Sequence, residues 1–510
     1  MMDRRGFLAG LGAGALGMLA GGWTALARPL WAADKSAAVF EPDLELMLRA
    51  GVDETQILPG APTRVWRFTG DLIRGAPRAL QAPPLGYLGP TLRVKKGQKV
   101  RLHFVNDLPQ ESIIHWHGMH VPAEMDGHPR DVIATGERTT YEFEVRNPAG
   151  TYWYHPHPHG RTGLQVYAGL AGLLIVEDEI EQGLDLPADE QDMALVLQDR
   201  LFDADNQLAY LRHPMERMTG FVGDRILVNG QADFRPAVAA RPYRLRLLNG
   251  SNSRIYRLAW SDGRPLTVIA TDGGLLAAPV AKDYVMLGPA ERIDIWVDFG
   301  GQSKGDEIAL VSRYIDWNAL SGRGGSGMMG GMMGGGMMMG GGSLPNGAPF
   351  TVARFQVAHR ARVNQKLPAR LTDLPKPAAG SGVDRRFVLA MQHMAGTINN
   401  RVFAMTEVAD DEVVAQDTEE IWEFINAGGM PPLPHPLHIH GLSFRVLSRL
   451  GTGHRGYVDE GWKDSVLLMP GERVRLQLRF ADFPGLFLYH CHNLEHEDMG
   501  MMRNYYVRGA

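Results

Sequence analysis

The sequence predicts an all-β protein made of three consecutive β-sandwich domains. Its 510 residues suffice for about three domains of ordinary size. The 61 glycines and 32 prolines are typical of a chain in which many turns connect short strands. A pattern of a turn, a Glu-Arg pair and alternating apolar residues also occurs three times, at intervals close to one domain length.

The repeated pattern starts at Thr135, Pro289 and Pro470, where the sequence reads TGERTTYEFEV, PAERIDIWVDF and PGERVRLQLRF. Alternating apolar residues after a turn predict a strand. In the first and last copies a histidine follows the arginine at the same spacing, and the middle copy has none there. We therefore expect two domains that carry chemistry and a middle domain that acts as a spacer, with approximate bounds 36–180, 181–360 and 361–510.

Residues 1–35 predict an export signal. Arg4 and Arg5 precede a weakly apolar run of glycine, alanine and leucine, and Ala25 and Ala27 offer a cleavage site of the A-x-A type. This twin-arginine pattern predicts passage through the twin-arginine export machinery into the periplasm. The alternative is a membrane anchor, but the run is short and rich in glycine, so we expect no stable anchor.

The charge balance excludes some classes of partner. The chain contains 52 lysines and arginines against 57 aspartates and glutamates, which gives no reason to expect nucleic acid or an acidic membrane surface. The single cysteine, Cys491, excludes a disulfide within the chain. We expect a monomer that acts on small molecules.

Four H-x-H pairs indicate a metal site. In a strand, residues i and i+2 point to the same face, so each pair presents two imidazoles together. A lone pair is more often structural, but four pairs at matching positions of the first and last domains suggest one shared cluster between those domains. Imidazoles without a carboxylate pair favour copper over magnesium or calcium. The pairs are His115 and His117, His155 and His157, His438 and His440, and His490 and His492.

Cys491 lies between His490 and His492, so its side chain leaves the opposite face of the same strand. It therefore needs a site of its own. Two histidines, a thiolate and a weak axial methionine form a blue-copper electron-transfer centre. The alternative is a buried structural cysteine, which has no need of histidine and methionine at ligand spacing. The partners available for the copper site are His435, His496 and Met501.

The motifs HWHG, YHPHPHG, HPLHIHG and HCHNLEHEDMGMM resemble those of the multicopper oxidases, in particular the three-domain bacterial laccases and copper-efflux (cuprous) oxidases. The resemblance implies three cupredoxin-like Greek-key domains. It also implies oxidation of a phenol, an aryl amine or Cu(I) by single electrons, coupled to four-electron reduction of dioxygen to water. A role in copper tolerance would follow.

The same resemblance implies four copper ions with a definite set of ligands. Type 1 copper would be held by His435, Cys491, His496 and Met501, and type 2 copper by His115 and His438. One type 3 copper would be held by His117, His155 and His492, and the other by His157, His440 and His490. The remaining histidines are expected not to bind copper: His103, His120, His128, His159, His213, His359, His393 and His454.

Forming water requires protons, for which carboxylates near the cluster are the expected source. Asp126 follows the first H-x-H pair, and Glu497 directly follows His496. We expect both to act in proton transfer. The alternatives are that Asp126 caps a turn before Gly127 and that Glu497 is a surface residue or supports a ligand.

A segment of glycine and methionine spans residues 322–342. It is either a disordered linker or a soft-ligand loop that captures Cu(I) or shields type 1 copper. The sequence departs from the labile-copper site of the cuprous oxidases, because Pro431 and Leu433 stand where its ligands would be, with Met430 nearby. Met391 and Met394 are expected in the core. The methionines of the segment are Met328, Met329, Met332, Met333, Met337, Met338 and Met339.

Two other functions compete with the oxidase. A copper-sequestering protein with incidental oxidase activity would not require a cysteine that connects two metal sites. A nitrite reductase uses related domains but normally a shorter chain, without a His-Cys-His sequence that joins two sites.

Overall fold

Strands dominate the described part of the chain, and the all-β prediction is confirmed. The computed structural model describes residues 40–83, 85–317, 344–361, 365–376, 382–392, 395–429, 431–451 and 456–509. Within these ranges 32 strands form six sheets. The predicted export signal, the methionine-rich segment, His393, Met394, Met430 and His454 lie outside the described residues.

The first two sheets are built from residues between 44 and 177. One sheet has the strand order β2-β1-β5-β7 and the other β3-β4-β9-β8-β6. The strands are β1 (Leu44–Thr55), β2 (Thr63–Arg74), β3 (Leu80–Gln81), β4 (Thr91–Lys95), β5 (Lys99–Asn106), β6 (Ile114–His117), β7 (Arg138–Glu144), β8 (Gly150–Pro156) and β9 (Gly172–Glu177).

The next two sheets are built from residues between 192 and 360. Their orders are β12-β11-β10-β14-β19-β16-β17 and β13-β21-β20-β15-β18. The strands are β10 (Asp192–Arg200), β11 (Arg225–Val228), β12 (Gln231–Ala232), β13 (Ala237–Ala240), β14 (Pro242–Asn249), β15 (Tyr256–Trp260), β16 (Leu266–Thr271), β17 (Gly274–Lys282), β18 (Val285–Leu287), β19 (Arg292–Asp298), β20 (Glu307–Ser312) and β21 (Phe350–Arg360).

The last two sheets are built from residues between 385 and 508. Their orders are β23-β22-β25-β30-β27-β28 and β24-β32-β31-β26-β29. The strands are β22 (Arg385–Gln392), β23 (Ala395–Ile398), β24 (Val413–Ala415), β25 (Glu419–Asn426), β26 (His435–Ile439), β27 (Phe444–Leu450), β28 (Trp462–Lys463), β29 (Ser465–Leu468), β30 (Arg473–Arg479), β31 (Gly485–Cys491) and β32 (Met502–Arg508). We call these three parts of the chain the first, middle and third segments.

The three segments share a pairing pattern. The first strand of each pairs in parallel with a later one, as β1 with β5, β10 with β14, and β22 with β25. That second strand then pairs antiparallel with the strand of the Glu-Arg repeat, which is β7, β19 or β30. The repeated sequence pattern therefore corresponds to one strand in the same place of three similar sheets.

The cores follow the strand period. In β1, for example, Leu44, Leu46, Leu48 and Ala50 are fully buried while the residues between them are partly or fully exposed. The helices are short, and no helix within the described residues has the length and hydrophobicity to cross a membrane. The α-helices are α1 (Thr162–Ala168), α2 (Glu179–Gln182), α3 (Pro214–Thr219) and α4 (Leu494–Asp498), with single 3-10 turns at Pro77–Ala79, Ala123–Met125, Pro129–Asp131, Asp189–Gln191 and Asp410–Glu412.

Candidate metal centres

Eight histidines meet between the first and third segments. Strands β6 and β8 pair antiparallel so that His115 lies opposite His155, and β26 and β31 pair so that His438 lies opposite His490. The same register in both segments aligns the H-x-H pairs. All eight imidazoles of the four predicted pairs are completely buried. The predicted gathering of these residues into one cluster agrees with the structure.

The ring nitrogens that face the middle of this cluster lie close together. Four contacts of 3.1–3.4 Å connect them, two across the boundary between segments and two within a segment. Nitrogen lone pairs that converge without intervening donors are arranged as a metal ion requires. The contacts are His115 Nε2 to His438 Nε2 at 3.4 Å, His157 Nε2 to His490 Nε2 at 3.3 Å, His440 Nε2 to His490 Nε2 at 3.1 Å, and His117 Nδ1 to His155 Nε2 at 3.4 Å.

The opposite nitrogen of most rings donates a hydrogen bond to the protein. A backbone carbonyl can only accept, so each such contact fixes the proton on Nδ1 and leaves Nε2 free for a metal. This arrangement sets both the tautomer and the orientation of the ring. The donors and acceptors are His115 to Asp126 O at 2.7 Å, His438 to Asp464 O at 2.7 Å, His155 to Pro156 O at 2.9 Å and His490 to Cys491 O at 3.1 Å.

Burial lowers the pKa of several of these imidazoles and favours their neutral form. It lowers the pKa of His157 and of His492 to about 3, because the charged ring would lose its hydration. The pKa values of His117, His155 and His438 are also held well below their ordinary range by burial and by neighbouring histidines. A neutral imidazole is the form that binds a metal.

The donors fit copper ions. Among the described residues, both ring nitrogens of His492 lack a hydrogen-bond partner although the side chain is buried. A buried polar group without a partner is costly, and a metal ion would remove that cost. Three groups of histidines have ligand atoms within 4.8 Å of one another: His115 with His117 and His155, His115 with His438 and His440, and His157 with His440 and His490.

A second group of ligands surrounds Cys491. Its sulfur lies 3.5 Å from His435 Nδ1 and 3.8 Å from His496 Nδ1, and these two nitrogens are 3.2 Å apart. Met501 is buried. Its backbone lies next to both residues, because its N–H donates to His496 O and its carbonyl accepts from Cys491 N–H, each at 3.0 Å. The predicted mononuclear site thus contains two histidines and a cysteine, with Met501 adjacent.

The local structure explains this second site. Strand β31 ends at Cys491, and α4 starts three residues later, with the side chain of Asn493 accepting the N–H of His496. The turn brings His496 back towards the sulfur. Burial raises the pKa of the Cys491 thiol, so a bound metal ion would have to displace its proton.

Asp126 lies against the histidine cluster. Its Oδ2 accepts from His440 Nδ1 at 2.7 Å, and its Oδ1 lies 3.5 Å from His115 Nδ1. Only its backbone takes part in the turn, where its N–H approaches Ala123 O at 3.4 Å. The side chain therefore does not cap the turn, and the turn-cap alternative is wrong.

Glu497 projects from α4 towards the same cluster. Its Oε2 lies 3.2 Å from His490 Nδ1 and its Oε1 lies 3.6 Å from His157 Nδ1. Burial raises the pKa of this carboxyl, but His157 and His490 outweigh that effect and lower it. Glu497 is 1% exposed, so the surface alternative is wrong, while support of a ligand remains compatible with the contacts.

Sequence reasoning missed Asp464 and Arg292. The Asp464 carboxylate accepts from His117 Nε2 at 3.1 Å and forms a bidentate pair with Arg292, at 2.7 and 2.5 Å. No metal-type pattern surrounds either residue, although Arg292 belongs to the middle Glu-Arg repeat. The middle segment is therefore more than the spacer we expected.

The middle segment also supports the cysteine site. The N–H of His496 Nε2 donates to Met218 O at 3.0 Å. The adjacent Glu495 is buried and accepts four hydrogen bonds, which hold α4 in place. The donors come from Tyr210 Oη at 2.8 Å, Phe221 N at 2.9 Å, Asn252 Nδ2 at 2.8 Å and Ser253 Oγ.

Histidines expected to be non-ligands have other contacts or lie at the surface. His103 contacts Glu45 and Thr140, His120 contacts Asp482 and Ser443, and His128 contacts Asn504. Within the described residues, these histidines and His159, His213 and His359 belong to no group of metal-ligating side chains. Leu433 is buried, and Met391 packs against the core of the third segment, as predicted.

Known proteins share this architecture. Two family models described as multicopper oxidase match residues 83–181 and 380–510. The multicopper oxidase mco of Staphylococcus haemolyticus is 33% identical over 427 residues, which are 82% of each chain. A laccase of Bacillus stratosphericus is 29% identical over 504 residues, covering 87% of this chain and 90% of the laccase.

A solved structure gives the same result. The McoA multicopper oxidase of Aquifex aeolicus superposes with a TM-score of 0.76 at 34% identity, over 92% of this chain and 97% of that one. Family membership implies copper, and the histidine clusters fit copper sites. This chain belongs to the multicopper oxidase family.

Proposed function

We propose that the protein oxidises a donor at a type 1 copper and reduces dioxygen to water at a trinuclear copper cluster. Copper at these sites would supply one-electron redox chemistry, so that four single-electron oxidations of the donor provide the four electrons that one dioxygen requires. Four protons taken up from solvent complete the two water molecules. The chain's own residues would hold the ions, connect the sites and deliver protons.

The observation that carries this proposal is the placement of Cys491. Its sulfur faces His435 and His496, while His490, the preceding residue, faces His440 and His157. A few covalent bonds of one strand therefore join the two candidate centres. A protein that only stores copper has no need of such a connection.

The contacts support the ligand sets that the family resemblance implies. His115 and His438 approach each other by Nε2, as two ligands of a type 2 ion would. His157, His440 and His490 converge by Nε2, and His117 and His155 face each other with His492 nearby. We therefore propose one type 2 and two type 3 ions here, and one type 1 ion beside Cys491.

Asp126 and Glu497 are the residues that we propose for proton transfer. Each carboxylate contacts two ligand histidines and is buried, so each can pass a proton within the site without exposing it to bulk solvent. The two residues belong to different segments and approach the cluster on different histidines. We propose that both serve dioxygen reduction and neither serves donor oxidation.

The proposed donors are phenols, aryl amines and Cu(I). The laccase relative supports organic donors, and the methionine-rich sequence at 322–342 supports Cu(I), because thioethers are soft ligands. Export by the twin-arginine machinery would place the enzyme in the periplasm, where oxidation of Cu(I) would aid copper tolerance.

Oxygen consumption by the copper-loaded protein tests this function. Dioxygen uptake with a phenol or with Cu(I), together with water rather than hydrogen peroxide as the product, would support the oxidase. Copper binding without dioxygen uptake from either donor would instead support the sequestering alternative. Four bound copper ions and a blue absorption band are the accompanying expectation.

A further inference from the structure

In the Glu-Arg pair of the internal repeat, the glutamate makes the same contact in all three copies, whereas the exposure of the arginine differs between copies. Arg138 and Arg473 are exposed, whereas Arg292 is completely buried. A charged side chain is rarely buried unless its partners require it there. The glutamate carboxylate accepts the backbone N–H of the residue three positions earlier in all three copies, at 3.0 Å in Glu137, 2.7 Å in Glu291 and 2.8 Å in Glu472.

All five N–H groups of the Arg292 guanidinium are used. Nη1 and Nη2 donate to the two oxygens of Asp464, at 2.7 and 2.5 Å. The other donors reach backbone carbonyls: Nε to Thr151 at 2.9 Å, Nη1 to Ala290 at 3.0 Å and Nη2 to Asp272 at 3.1 Å. The planar group is therefore fixed by the first, middle and third segments at once.

Asp464, held in place by Arg292, accepts hydrogen bonds from two histidines. Its Oδ1 accepts from His117 Nε2 at 3.1 Å, and its backbone carbonyl accepts from His438 Nδ1 at 2.7 Å. The two rings stack with centroids 3.6 Å apart and an interplanar angle of 14°. His117 and His438 come from different outer segments, so one aspartate aligns a ligand from each side.

The glycine of the first H-x-H-G motif makes room for the pair. Gly118 has φ +83°, and a Cβ atom there would overlap the Asp464 carboxylate and lie 2.9 Å from Arg292 Nη2. The motif therefore supplies two candidate ligands and also a glycine that leaves space for the Arg292–Asp464 ion pair.

We propose that Arg292 is a positioning residue for the trinuclear cluster. It holds Asp464, whose carboxylate orients His117 with Nδ1 towards the proposed metal ions and whose backbone carbonyl orients His438 with Nε2 towards them. This inference rests on the proposed copper function. A lysine could replace the charge but not the planar two-pronged contact, so Arg292→Lys is expected to restore the alignment only in part.

The test compares Arg292→Met and Arg292→Lys with Arg246→Met. Arg246 is a matched control, because it is buried and pairs through two nitrogens with Asp192, at 2.6 and 2.9 Å, a carboxylate with no histidine contact in the described residues. The readouts are bound copper per chain, the blue absorption of type 1 copper, the hyperfine splitting of type 2 copper in electron paramagnetic resonance, and the rate at which dioxygen reoxidises the reduced protein.

Arg292→Met should change the type 2 hyperfine splitting and lower cluster-copper affinity or the reoxidation rate by about 10–100-fold, with the blue band unchanged. Arg246→Met should leave all four readouts unchanged. Wild-type splitting and reoxidation in both Arg292 variants would overturn the inference, as would an equal change in Arg246→Met. If Arg292→Met fails to fold, Arg292→Lys keeps the buried charge and decides the question. Failure of the wild-type protein to bind cluster copper would overturn the proposed function itself.

Discussion

Cys491 and His490 are neighbours in sequence but face different candidate metal centres. The Cys491 sulfur lies 3.5 Å from His435 Nδ1, whereas His490 Nε2 lies 3.1 Å from His440 Nε2. Strand alternation in β31 causes the divergence. The two centres are therefore joined through the backbone of adjacent residues, which is the shortest covalent connection a strand can offer between opposite faces.

Asp126→Asn should slow dioxygen reduction. The amide keeps the volume of the carboxyl group but cannot release and regain a proton during turnover, so we expect reoxidation to slow by about 10²–10⁴-fold. Bound copper, the blue band and anaerobic reduction by a phenol should not change. Rapid-mixing absorption spectroscopy measures each half of the cycle separately.

Asp131→Asn is the control for this change, because Asp131 lies five residues away with a side chain that is 46% exposed. It should reoxidise at the wild-type rate. A wild-type rate in Asp126→Asn as well would remove Asp126 from the mechanism.

Glu495→Gln should loosen the cysteine site without disturbing the cluster. The four donors that now meet two carboxylate oxygens would compete for one, and unsatisfied buried donors cost about 1–3 kcal/mol. We expect a shifted type 1 reduction potential or weaker type 1 copper, with an unchanged type 2 signal. Redox titration of the blue band measures the effect, and Glu407→Gln, at a side chain 61% exposed, is the control. Equal potentials in wild type and Glu495→Gln would contradict this support role.

Gly118→Ala should displace Asp464 in addition to straining the backbone, whereas the control Gly97→Ala should only strain the backbone. Both glycines have positive φ, at +83° and +81°, so alanine costs each roughly 1–2 kcal/mol in backbone conformation. A Cβ at Gly97 meets no atom within 4 Å, whereas one at Gly118 meets Asp464 and Arg292. Only Gly118→Ala should lose cluster copper, as measured by metal analysis after dialysis. Full copper retention in both variants would show that Asp464 can move without consequence.

The clustering of the candidate metal ligands could be predicted from sequence because each lies in a short pattern with a definite spacing. Alternation placed His115 with His117 and separated Cys491 from His490, and the structure agrees with both. The repeat then aligned His115 with His438, which are 323 residues apart and whose Nε2 atoms lie 3.4 Å apart.

The supporting residues could not be predicted in the same way. Arg292, Asp464 and Glu495 contact residues that are distant in sequence. Arg292 and Asp464 lie outside the ligand motifs, and the position of Glu495 beside His496 does not reveal its donors from the middle segment. The Glu-Arg repeat gave no indication that Arg292 is buried, because the arginine at the same position is exposed in the other two copies. The contacts of such residues are set by packing between segments, which alternation and spacing do not encode.

The methionine-rich sequence gives a prediction that rests on composition. Replacing its seven methionines with serine keeps the length and the glycine content of residues 322–342 but removes the soft ligands. Cu(I) oxidation should fall while phenol oxidation stays the same, in steady-state oxygen uptake. Equal loss of both activities would contradict a specific role in Cu(I) capture, and a gain in phenol oxidation after deletion of the segment would indicate a lid.

The most direct measurement is turnover and copper content of Cys491→Ser. Serine preserves the strand but offers no thiolate, so the blue band and one copper per chain should disappear while the type 2 signal persists. Oxidation of phenol and of Cu(I) should then fall to background, although dithionite-reduced protein should still be reoxidised by dioxygen. Wild-type turnover in Cys491→Ser would contradict the connection between the two centres on which the account depends.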